Sequence, residues 1–107
     1  MTRQHLPQRR RNITTETEWQ GHAFTVTVGF DANGKPGEVF AQHAKGDMAA
    51  MLADACVVIS IGLQHGIAPE ALAKSLGSVP SWINGIEVDA PASPVGTIMA
   101  AIIEAAT

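Results

Sequence analysis

A chain of 107 residues fits one domain, and with 46% hydrophobic against 16% charged residues it lacks the low-hydrophobicity, high-charge signature of disorder. The single cysteine, Cys56, excludes an intramolecular disulfide and a zinc site built on several thiolates, and it points to a reducing, cytoplasmic setting. The net charge of −3 divides unevenly, because all four arginines (Arg3, Arg9, Arg10 and Arg11) precede a remainder that sets three lysines against ten acids.

Residues 1–11 hold three consecutive arginines and a proline and show no apolar periodicity, so they read as an extended arm before a domain spanning 12–107. No apolar core follows the basic residues, so no secretory signal is expected. From Asn12 to Trp19 the residues Ile13, Thr15, Thr17 and Trp19 share one face at period two, which predicts a strand. Gln20-Gly21 turns the chain into a second strand, where Phe24, Val26, Val28 and Phe30 alternate with Ala23, Thr25, Thr27 and Gly29. Asn33-Gly34 supplies the positive φ angles of a tight turn, and a third strand from Gly37 to Gln42 pairs back.

Three strands with one apolar face need a cover. Met48, Leu52, Cys56, Ile59 and Leu63 recur at helical spacing between Asp47 and His65, with Gly66 as the C-terminal cap. Met51, Val58 and Ile61 make the opposite face apolar as well, and a helix apolar on most sides is either central or part of an oligomer interface. The stretch from Met48 to Leu63 is interrupted by Asp54 and falls short of the ~20 residues of a spanning helix, so no membrane span is expected. A short helix begins at Pro69 and runs to Gly77. Ser78 to Ala92, with two prolines, reads as a loop, and Ser93-Pro94 opens a last helix through Val95, Ile98, Ile102 and Ile103. The order predicts an α+β fold: a three-stranded antiparallel sheet followed by a long central helix, a short helix and a C-terminal helix packed on one face.

Candidate chemical groups are sparse. Cys56 lies on the apolar face of the central helix, where a thiol packs as a small hydrophobe. His5, His22, His43 and His65 show no metal-ligand spacing, and His65 suits a helix C-terminus. Asp47 and Asp54 share one helix, with Asp47 placed to meet the positive end of the helix dipole. Gly29, Gly34 and Gly37 fall between strands and make no phosphate-cradling loop. Ser93 reads as a cap. No catalytic residue, metal or cofactor is assigned. The arginines Arg3, Arg9, Arg10 and Arg11 are the candidate site, since guanidinium groups hold phosphate or carboxylate oxygens bidentately.

Four stretches resemble a known family: the arm R-x-x-L-P-x-R-R-R, the hairpin G-K-P-G-E-V-F, the helix end S-I-G-L-Q-H-G and the terminal S-P-V-G. Together they look like the TSCPD-type domain at the C-terminus of adenosylcobalamin-dependent (class II) ribonucleotide reductases. The similarity runs from about Arg3 to Leu76 and from Ala92 to Ile102. Where the family has Thr-Ser-Cys-Pro-Asp, this chain reads Ala92-Ser93-Pro94-Val95-Gly96, without the family's cysteine and aspartate. The resemblance implies an auxiliary domain of deoxyribonucleotide production, occurring as a separate polypeptide, with a reductase or a nucleotide as partner. It does not imply reductase activity, which needs a radical cofactor site and several thiols. The apolar helix is expected to support a homo-oligomer. The alternative is a nucleic-acid-binding module that uses the arm; the acidic remainder of the chain opposes it.

Overall fold

The computed structural model describes residues 11–107. Residues 1–10, with His5, Arg3, Arg9 and Arg10 and most of the expected arm, lie outside the described residues.

The alternating segments form a three-stranded antiparallel sheet in the order β1-β2-β3, with β1 at Asn12–Trp19, β2 at His22–Phe30 and β3 at Pro36–Gln42. Gln20 and Gly21 both have positive φ, 47° and 82°, as a two-residue hairpin requires. The second turn departs from expectation: Gly34 is left-handed but Asn33 is not, so Asn-Gly does not form the tight turn by itself. The Asp31 carboxylate instead accepts from the amides of Asn33 at 2.8 Å and Lys35 at 3.0 Å, organising a longer loop.

The expected cover is present. Helix α1, Asp47–Gln64, buries Leu52, Cys56, Ile59 and Leu63. It ends as Gly66 turns left-handed at φ 87°, with the Gly66 amide bonding to Leu63 and the Ile67 amide to Gly62. Helix α2 is shorter than expected, Pro69–Ala73, and its last turn gives way before Gly77. Helix α3, Pro94–Ala105, opens on Ser93, whose hydroxyl accepts the Gly96 amide at 3.4 Å. Ile98, Met99 and Ile102 of α3 join Phe24, Val26, Val28, Phe30 and Val39 of the sheet and the buried residues of α1 in one core. Helix α1 packs along β3, and α3 packs over β1 and β2.

The segment read as a loop is a second sheet. Strands β4, Ser78–Ile83, and β5, Ile86–Pro91, pair as a two-stranded ribbon around Asn84-Gly85, whose φ angles of 52° and 79° again fit a two-residue turn. Pro80 and Pro91 do not prevent this, because each strand of a two-stranded ribbon leaves one side unpaired. At its base the indole N–H of Trp19 donates to the Pro91 carbonyl at 3.3 Å. Gly96 of α3 approaches so closely that a Cβ there would stand 2.8 Å from Pro91 Cβ.

Polar side chains of α1 close one edge of the main sheet. The Ser60 hydroxyl accepts the Val39 amide at 3.0 Å and donates to the Val39 carbonyl at 3.4 Å, while the Gln64 amide donates to the Gly37 carbonyl at 2.8 Å. Cys56, one turn earlier, meets the backbone of Ala41. Steps of four residues along α1 thus match steps of two along β3.

Candidate functional site

Of the four candidate arginines, Arg11 is described, and it is fastened to the sheet. Its carbonyl accepts the Phe30 amide at 3.0 Å, and its guanidinium lies 4.3 Å from the centroid of the Phe30 ring. A cation over an aromatic face is attracted by the ring quadrupole, while the guanidinium N–H groups at its rim remain able to donate. Arg11 is therefore continuous with the fold.

The remaining candidates resolve into structural roles. His22 stacks on Trp19 with centroids 6.2 Å apart, the His43 ring hydrogen-bonds the Thr25 hydroxyl at 3.1 Å, and His65 occupies the C-cap of α1. Asp47 stands in the first turn of α1, where a carboxylate complements the dipole. Asp54 lies seven residues further, about 10 Å along the axis, too far for the two carboxylates to share a proton. Burial pushes the Cys56 thiol from 9.0 up to about 11, partly offset by its hydrogen bond with Ala41. A thiol so raised stays protonated at neutral pH and is a poor nucleophile. Among the described residues no group of three or more His, Cys, Asp or Glu is placed to hold a metal ion.

The fold leaves two apolar surfaces uncovered. On α1, Met51, Val57, Val58 and Ile61 face outward around the exposed carboxylate of Asp54, with Val58 70% exposed. By length and composition this 18-residue helix would suffice to cross a membrane; 28% of it is buried, with Leu52, Cys56, Ile59 and Leu63 packed into the core. Beside it a groove of about 380 Å³, lined by Phe40, Ala53, Val57 and Ser60, runs between α1 and β3. The ribbon adds a second surface, since its register puts Val79, Ser81, Ile83, Ile86, Val88 and Ala90 on one face and leaves Ile83 and Ile86 exposed. The sequence reading missed this surface, although Asn84-Gly85 between two alternating runs was its signal.

The TSCPD domain family model matches residues 1–106. The chain belongs to the TSCPD domain family. No curated protein and no solved structure matches it. This TSCPD domain comes from a family associated with ribonucleotide reductases, and its departure from the family motif falls at the start of α3. There Ser93 and Pro94 retain the helix-starting geometry, while Val95 and Gly96 occupy the positions after it without a thiol or a carboxylate.

Proposed function

We propose that this TSCPD domain is a noncatalytic accessory and interaction domain of cytoplasmic ribonucleotide reduction. Arg3, Arg9, Arg10 and Arg11 engage a reductase chain or a nucleotide, and the outer face of α1 meets a second copy. The observation that carries the interaction reading is that face: four apolar side chains on the exposed side of a helix whose inner side already fills the core. The arginines supply donors for phosphate or carboxylate oxygens, and Arg11 ties their end of the chain to the sheet.

The test uses the full tagged chain, a ribonucleotide reductase that lacks a TSCPD domain of its own, and nucleoside di- and triphosphates. Co-purification of the reductase, or a rise in melting temperature with nucleotide, is the expected result, and changing Arg9, Arg10 and Arg11 together to Gln reduces it. Failure to retain any reductase, together with unchanged melting in every nucleotide, overturns the reading.

A further inference from the structure

The two edges of the main sheet differ. Along β3, the outward backbone groups are taken by Ser60 and Gln64 of α1. Along β1 no such partner occurs among the described residues. The bond from the Phe30 amide to the Arg11 carbonyl fixes the alternation, so Ile13, Thr15, Thr17 and Trp19 turn their backbone groups toward β2. Asn12, Thr14, Glu16 and Glu18 turn theirs outward. The register with β2 is unbroken over all eight residues, with no proline, lysine or bulge to blunt the edge. The ribbon strands, by contrast, each carry a proline that removes an N–H donor.

We propose that the free edge of β1 accepts an extended segment of another protein as a fourth strand, one that alternates basic with apolar residues. Glu16 and Glu18 are the only charges on β1, and they lie on the sheet face that points away from the helices. Basic side chains of an added strand meet them across the new ladder. On the other face the incoming side chains lie beside half-buried Ile13 and Trp19, which calls for apolar residues. Toward Trp19 the edge leads into a cleft of about 360 Å³ between Glu18 and the ribbon residues Val79 and Ala90. Two β1 strands paired over Asn12–Trp19 would instead gather four carboxylates along one seam, and β1 itself carries no positive charge to meet them. The proposal is independent of the arginine arm, which seeks partners of the opposite charge.

Hydrogen exchange of the full chain, with and without a synthetic eight-residue peptide alternating lysine and valine, tests it. The peptide is expected to slow the amides of Thr14, Glu16 and Glu18 at least tenfold, whereas a glutamate–valine peptide has no effect. Reversing both charges, with Glu16→Lys and Glu18→Lys, weakens the lysine peptide at least tenfold. Thr14→Pro, which removes an outward N–H and the Thr14–Thr27 hydroxyl bond but no backbone bond to β2, also weakens it; if that variant does not fold, the charge reversal decides. Equal slowing by both peptides, slowing confined to other strands, or protection of these amides that grows with protein concentration alone would overturn the proposal, the last by giving the edge to a second copy.

Discussion

Ser60→Ala removes one oxygen from a helix that otherwise keeps its packing, and the loss falls on the backbone of β3. Val39 is 1% exposed and Ser60 is 9% exposed, so the Val39 amide, held at 3.0 Å, loses its partner with little direct access to solvent. An unsatisfied buried backbone group costs about 1–3 kcal/mol. The carbonyl contributes less, because its bond at 3.4 Å is long and a carbonyl tolerates a missing donor better than an amide tolerates a missing acceptor. The neighbouring groove admits some water, which places the expected loss at about 2 kcal/mol. For a domain of this size that lowers the melting temperature by roughly 8–12 °C. Urea unfolding with an unchanged m-value measures the loss, and hydrogen exchange locates it at Val39. A loss below about 0.5 kcal/mol, with Val39 exchange unchanged, would refute the account of Ser60 as the partner of the sheet edge.

Cys56 is expected to resist alkylation by iodoacetamide at pH 8 in the folded chain and to react promptly in urea. Because its folded value near 11 stands above the ordinary 9.0, the thiol's contribution to stability is complete below pH 9 and declines as pH rises to 11; Cys56→Ala, compared by urea melts across that range, removes the decline. Gly96→Ala sets a methyl group 2.8 Å from Pro91 Cβ and should destabilise the junction of ribbon and α3 by roughly 1–3 kcal/mol, read from thermal melts. Val58→Asp, at a position 70% exposed, leaves unfolding within about 0.5 kcal/mol of the parent while sedimentation shows the loss of any self-association through α1.

Much of the fold was legible because its signals are local. The alternation of Phe24, Val26, Val28 and Phe30 against threonines has one reading, and all four are buried. The helical spacing of Leu52, Cys56, Ile59 and Leu63, and the Ser93-Pro94 start of α3, were equally plain. The ribbon was not, because Pro80 and Pro91 argue against strands that are paired on both sides, and nothing local says that a pairing will stay two-stranded. The roles of Ser60 and Gln64 were hidden for a related reason. A serine and a glutamine on an apolar helix are anomalous until the edge of β3 is placed beside them. For the candidate site, the chemistry of Arg11 was visible in sequence, but its stacking on Phe30 depends on a hairpin that brings residues 19 positions apart together. The TSCPD resemblance was legible in the arm and hairpin motifs, and the family match extends it along residues 1–106.

The closure of β3 by α1 works like a vernier. Four residues of helix rise about 6.0 Å, whereas two residues of strand advance about 6.6–6.8 Å, so the two scales agree at one point and drift apart by roughly 0.7 Å with each step. Ser60, with its short side chain, stands in the middle, where it reaches both groups of Val39. Gln64, with a longer and more flexible reach, stands one step away, and the large sulfur of Cys56 stands one step the other way. Three rungs are about as many as such a pair of scales supports. A single residue inserted between Cys56 and Gln64 would rotate one part of the helix by about 100° relative to the other and break the series, so this stretch of the TSCPD domain tolerates substitution far better than any change in length.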